Sequence, residues 1–202
     1  ILRVSPCLRR IKKSFCLSFR RILKNLSFHE SFINASFSFK KMKVPTIVAV
    51  HDGNFHADDV FAVAILKLLH PDLEIIRTRD SARLEQADLR VDVGRKYHHD
   101  TGDYDHHQPE GAGTRMNGIP YAACGLIWKH YGLRLVNSSF VFHKIDGRLI
   151  QVIDALDNGF LLYEPKEKFT VYTLSQLIDS FNPSWQESSR DYDLAFHLAV
   201  DF

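Results

Sequence analysis

The sequence predicts an α/β protein, a parallel sheet with helices on both faces. Three observations carry that expectation. From residue 44 onward, apolar runs of strand length alternate with segments of helical period. Most joints between them are short, the exception being a long stretch, 94–118, with seven Gly, Pro or Asn. Histidines and aspartates recur directly behind the strand-length runs, at the edge where open α/β sheets bind ligands.

Val44 to Val50 is rich in β-branched residues and gives the first strand. Behind it, His51-Asp52-Gly53-Asn54-Phe55-His56-Ala57-Asp58-Asp59 makes a turn and opens a helix over 57–69, which ends before Pro71. Gly53 permits the tight turn that would bring His51 back beside His56 and Asp58. Leu73 to Thr78 reads as a second strand, Ser81 to Gln86 as a short polar helix, and Leu89 to Val93 as a third strand. Beyond the long loop, Tyr121 to Tyr131 has helical spacing, with Gly132 as its expected C-cap. Phe140 to Leu156 is a longer amphipathic helix closed by Asn158-Gly159, and its apolar positions Ile145, Leu149, Val152, Ile153 and Leu156 are expected in the core. Leu174 to Phe181 is a short helix stopped by Pro183. A last helix from Asp191 meets the chain end before any cap signal, so 186–202 is expected to begin a further C-terminal part beyond a domain of 44–185.

The chemistry sits at the joints. Imidazole nitrogens mixed with carboxylate oxygens suit Mn, Fe or Zn better than Ca or Mg, which makes His51, His56, Asp58 and Asp59 candidate ligands. The competing reading is that Asp58 and Asp59 only complement the helix dipole. Asp92, in Val91-Asp92-Val93-Gly94, takes the position of His51 one parallel strand over. Asp105-His106-His107-Gln108 offers two imidazoles and an acid able to fix their tautomers. His98, His99 and Asp100 are nearby candidates in the same loop. Asp154 and Asp157 end the long helix, where acids are unfavourable unless a cation is near; solvated surface charge is the alternative.

Composition bounds the function. The chain has 202 residues, 45% hydrophobic and 25% charged, enough for one domain with a substantial core. Its net charge of +2 hides an asymmetry: residues 1–43 hold eleven of the 26 Lys and Arg and one acid, Glu30. The remainder has 15 basic against 23 acidic residues, a net of −8, and so no overall pull on nucleic acid. Residues 1–43 have the make-up of a mitochondrial transit peptide. A basic interaction tail, or upstream sequence preceding Met42, are the other readings. Of Cys7, Cys16 and Cys124, only Cys124 lies outside that segment, which fits a reducing compartment. No apolar run approaches the ~18–20 residues of a membrane span, and nothing in the pattern signals an oligomeric state.

Together, HDGNFHADD, VDVG, YDHHQ and IDALDNG resemble the DHH phosphoesterase superfamily. Within it the likeness is to the melanocyte-proliferating-gene family of metal-dependent hydrolases. The form His-x4-His-x-Asp, the Gln after the histidine pair and Ala123-Cys124-Gly125-Leu126 mark that branch, over residues 44–200. Position 52 is Asn or Ser in that branch; Asp52 departs from it.

The resemblance implies a DHH-like N-terminal domain and two divalent ions, Mn²⁺ first, with Mg²⁺ or Zn²⁺ as alternatives. His51, His56 and Asp92 would hold one ion; Asp58, Asp92 and His107 would hold the other, with Asp157, or else Asp154, as the fourth acid. His106, beside Asp105, would contact the scissile phosphate, and Arg95, Lys96 and Arg115 are candidate phosphate contacts. The implied activity is 3′–5′ exonucleolytic hydrolysis of RNA in the mitochondrial matrix and the nucleus. A pyrophosphatase or dinucleotide phosphodiesterase, and a non-catalytic metal-binding interaction protein, are the competing expectations.

Overall fold

A computed structural model describes residues 44–161, 164, 172–187 and 189–202; the expected transit peptide or basic tail, 1–43, lies outside them. Within Val44–Asp201, which forms a single compact unit, five strands make one sheet: β1 Ile47–Val50, β2 Glu74–Arg77, β3 Leu89–Val91, β4 Tyr97–His98 and β5 Asp103–Tyr104. Their order is β2-β1-β3-β5-β4, all parallel except the antiparallel β4–β5 pair. The α/β expectation is met by a mixed, mostly parallel sheet.

Both faces are covered, unequally. Side chains alternate along β1. Val48 and Val50 enter the main core, beneath helix α1 (Ala57–Leu69) with Val60, Val63, Ile65 and Leu66. Ile47 and Ala49 meet only a small cluster of Leu84, Ala87 and Val93, under α2 (Ser81–Leu84). Each large apolar side chain so buried contributes about 1.5–3 kcal/mol, so the α1 face dominates the stability.

The long loop is more ordered than its Gly content predicts. It contains β4, a 3₁₀ turn over His99–Thr101, and β5, which pairs parallel to β3. Gly102, at φ 76°, makes this possible, because a Cβ there would run into the Asp88 carbonyl.

The helix expected to end at Gly132 runs on. It comprises α3 (Ala123–Ile127), a π-helical turn over Trp128–Gly132, and α4 (Leu133–Val136). Gly132 stays helical because the Trp128 side chain fills the space its Cβ would need. Asn137, at φ 48°, ends the helix instead. The long amphipathic helix is likewise α5 (Ser139–Ile145), a π turn over Asp146–Ile150, and α6 (Gln151–Asp157).

The last elements are α7 (Leu174–Asp179) and α8 (Tyr192–Asp201). The last helix packs on α1, and its Phe196 meets Phe55 edge-on at 5.4 Å between centroids. Arg77, buried at the end of β2, donates to the carbonyls of both Gly53 (2.6 Å) and Tyr192 (2.9 Å) while lying over the Phe196 ring. Asn182 bonds both backbone groups of Phe55. Thus the loop 51–56 is held from behind by the C-terminal helices. None of the described helices is long and apolar enough to cross a membrane.

Candidate metal centre

Three parallel strands end in candidate ligands. His51 follows Val50 of β1, Asp92 follows Val91 of β3, and Asp105-His106-His107 follows Tyr104 of β5. β1, β3 and β5 are neighbours in the sheet, so these side chains meet at its carboxyl edge. Asp92 sits at φ 54°, a left-handed conformation that Asp tolerates better than most residues. The first turn of α1 adds Asp58 and Asp59, and the last residue of α6 adds Asp157.

Nitrogens and carboxylates interleave. His51 Nε2 lies 3.1 Å from Asp59 Oδ2 and 3.3 Å from Asp92 Oδ2. His106 Nε2 lies 3.1 Å from Asp157 Oδ2, 3.4 Å from Asp92 Oδ1 and 3.9 Å from Asp58 Oδ2. His107 Nδ1 lies 3.3 Å from Asp92 Oδ1 and 2.8 Å from Asp105 Oδ1. In each of three groups, His51–Asp59–Asp92, Asp92–His106–His107 and Asp58–His106–Asp157, the ligand atoms lie within 4.8 Å of one another. Asp92 belongs to two groups, through a different oxygen in its closest contacts with His51 and His106.

The protonation pattern follows from this crowding. Burial opposes charge on His51, but Asp59 and Asp92 outweigh it and hold the imidazole at about 10. Burial also opposes charge on His106, and Asp157 and Asp92 raise it to about 11. Asp92 is buried too, yet the three histidines around it keep its pKa well below the usual carboxylate range. Burial, then repulsion by Asp92 and Asp157, pushes Asp58 up, and burial pushes Asp59 up. The pocket demands positive charge. Protons meet that demand when nothing else does.

A metal cation fits it better. Asp59 Oδ2, Asp92 Oδ1 and His106 Nε2 are buried without an aligned hydrogen bond, although each has site atoms within 3.1–3.4 Å. Asp92 Oδ1 and His106 Nε2 face each other at 3.4 Å, and Asp59 Oδ2 faces His51 Nε2 at 3.1 Å. His51 Nδ1 is taken up by the Asp52 carbonyl at 3.1 Å, which leaves Nε2 facing the carboxylates. Burying polar atoms unpaired is costly, and imidazole with carboxylate is a donor set for a divalent ion. Above lies a cavity of about 660 Å³, lined by His51, His56, Asp58, Asp92, His107 and Asp157, with Arg79 and Arg95.

The remaining residues take supporting places. Asp58 accepts the backbone N–H groups of Ala123 (2.9 Å) and Cys124 (2.7 Å), capping α3 from another element. Asp59 Oδ1 accepts from the N–H of His56 and of Val60. His56 stays outside the three groups, exposed at the cavity wall, its ring 6.0 Å from that of His51. Asp105 accepts the N–H groups of Arg95, His106 and His107 and so shapes the histidine turn. Asp154 is committed elsewhere, to Arg115 and the Gly125 N–H. Arg115, expected to meet phosphate, is therefore unavailable: it is buried between Asp154 and Asp146 and lies over Tyr121. Lys96 pairs with Asp103 at 3.3 Å. Asp59 is absent from the ligand sets that the resemblance implies, and Arg79 carries no motif signal; the fold brings Arg79 to the cavity.

Fold and site together define an α/β protein with a candidate divalent-metal centre at the carboxyl edge of its sheet. The family follows from sequence comparison. A family model for MYG1 exonuclease, described as "Uncharacterised protein family (UPF0160)", matches residues 47–202. The chain belongs to this MYG1 family. It is 33% identical over 187 residues to the MYG1 exonuclease of Homo sapiens, covering 81% of this chain and 50% of that protein. With the MYG1 exonuclease of Mus musculus it shares 31% over 183 residues, 79% and 48% of the two chains. With MYG1 protein C27H6.8 of Caenorhabditis elegans it shares 33% over 177 residues, 78% and 52%. The chain thus spans about half the length of these relatives. No solved structure matches it.

Proposed function

We propose that this chain carries the metal centre of a phosphodiesterase, a 3′–5′ exonuclease acting on RNA with two divalent cations, Mn²⁺ first among them. The clustering of His51, Asp59 and Asp92, and of His106, Asp58 and Asp157, beside a cavity lined by His51, Asp58, Asp92 and Asp157 carries the reading. The naming of its human and mouse relatives as exonucleases supports the reaction class.

One imidazole nitrogen serves one ion, so the three groups reduce to two. His51, Asp59 and Asp92 Oδ2 would hold the first cation, and His106, Asp58, Asp157 and Asp92 Oδ1 the second. This partition gives His106 the ligand role that the motif resemblance assigns to His107. The side chain of His106 is 8% exposed and that of His107 54% exposed, which suits the first to a metal and the second to a substrate. When bound, the cations supply charge neutralisation at the phosphate and make the attacking water more acidic.

The protein's own groups do the rest. Asp105 binds His107 Nδ1 at 2.8 Å and orients the ring, leaving Nε2 to donate to a phosphate oxygen or the leaving oxygen. Asp92 raises the His107 pKa above its ordinary value. Arg95, on the cavity wall, would meet a phosphate through its guanidinium.

Mn²⁺ titration calorimetry and digestion of 5′-labelled RNA test this reading. The expected result is two bound ions and a ladder shortened from the 3′ end. Turnover of pyrophosphate without RNA cleavage would move the substrate to small phosphoesters, and absence of Mn²⁺ binding would overturn the metal centre. For the cellular setting we propose the mitochondrial matrix, with the nucleus second, because residues 1–43 hold eleven basic residues and one acid. Cell fractionation of the tagged protein checks it.

A further inference from the structure

We propose that Arg79 is the residue that makes this site prefer a polynucleotide over a small phosphoester, by binding a non-scissile phosphate of a single strand. The inference rests on the phosphodiesterase reading above.

The body of the chain, 44–202, is acidic, and Asp58, Asp92, Asp105 and Asp157 line the cavity. Among the described residues, Arg79 and Arg95 are the arginines on that wall, and no lysine lines it. They stand on different strand ends: Arg95 follows β3, while Arg79 follows β2, on the far side of β1. The His51–Asp92 floor therefore lies between two arginines, as a chain of phosphates crossing it would require. Meanwhile Arg79 is held by a stand-in. Its Nη1 donates to both the backbone carbonyl and the carboxylate of Asp52, in the loop that carries His51. Both side chains are more than half exposed. An exposed ion pair contributes little net stability, so a phosphate can replace the carboxylate with little penalty. A guanidinium presents several N–H donors in a plane and can grip phosphate two-pronged; toward Asp52 it uses Nη1.

The test is binding of a 5′-labelled, hydrolysis-resistant pentaribonucleotide to the full chain with Mn²⁺, followed by fluorescence anisotropy across a salt series. Arg79→Gln is expected to weaken this binding about tenfold and to flatten the plot of log Kd against log salt by about 0.7, one phosphate contact on a single strand. Asp52→Asn is expected to tighten it several-fold. Arg79→Lys should keep part of the affinity, because the charge remains. A merely structural role would leave the salt slope unmoved. If Arg79→Gln keeps the wild-type affinity and slope while wild type cleaves RNA, this proposal falls and the phosphodiesterase reading stands. If wild type neither binds nor cleaves RNA with Mn²⁺ present, both fall.

Discussion

His106 Nε2 meets Asp157 Oδ2 at 3.1 Å, joining the turn behind β5 to the last residue of α6. Two segments far apart in sequence thus share one corner of the pocket, and the consequences can be measured.

Asp92 faces His51 with one oxygen and His106 and His107 with the other. Replacing groups that only support metal ligands costs about 10–100-fold in affinity, so Asp92→Asn should weaken Mn²⁺ at least about 100-fold. Asn also tolerates the left-handed backbone, so the turn survives. Calorimetry reads the affinity. Removing metal with a chelator should lower the melting temperature of wild type and hardly change that of Asp92→Asn.

His106→Ala and His107→Ala should separate cleanly. The first removes a ligand, and the Mn²⁺ stoichiometry should fall from two to one. The second should keep both ions and lower kcat on RNA by about 100-fold, as expected for loss of a proton donor. Loss of one ion in His107→Ala but not in His106→Ala would reverse the assignment.

Asp58 has a second task, because it accepts two N–H groups of α3. Asp58→Ala should therefore destabilise the protein even without metal, by about 2–4 kcal/mol, from unsatisfied donors and a lost cap. Urea unfolding in chelator checks this.

Gly125→Ala should cost about 3–5 kcal/mol, the range for disruption of a buried ion pair. Its Cβ would overlap the Asp154 carboxylate, which Arg115 holds in place. Thermal unfolding is the measurement.

His130 stacks on His99 at 3.8 Å between ring centroids, and its Nε2 lies 2.8 Å from the Tyr97 hydroxyl. Burial, with repulsion from His99 and Lys129, lowers its pKa to about 4. A histidine depressed in the folded state stabilises above its unfolded pKa near 6.5, and that contribution is lost as pH falls toward 4. His130→Phe keeps the stacking without the titration. Its loss of stability between pH 7 and 4.5 should be smaller than that of wild type by about 2 kcal/mol, after allowance for solvent screening. Urea unfolding at the two pH values decides it.

Much of this was legible in the sequence because period and position coincide. β-branched Val44 to Val50, followed by the apolar run of α1, declares a strand and a buried helix, and His51 and Asp92 are marked by standing directly behind strands. The two-residue β5 has no period to read, so the fourth parallel strand, and with it the lateral position of His106, stayed hidden. Charge pairing was equally opaque. Arg115 looked free in a loop, but Asp154 and Asp146 reach it from the second long helix. Gly132 carries a stop signal by composition, and the Trp128 ring makes use of its missing side chain instead.

The two-handed grip of Arg77, on Gly53 in front and Tyr192 behind, makes the last helix a remote handle on the ligand turn. A chain trimmed ahead of Tyr192 would lose no residue of the cation pocket, yet its His51 turn would be released on one side.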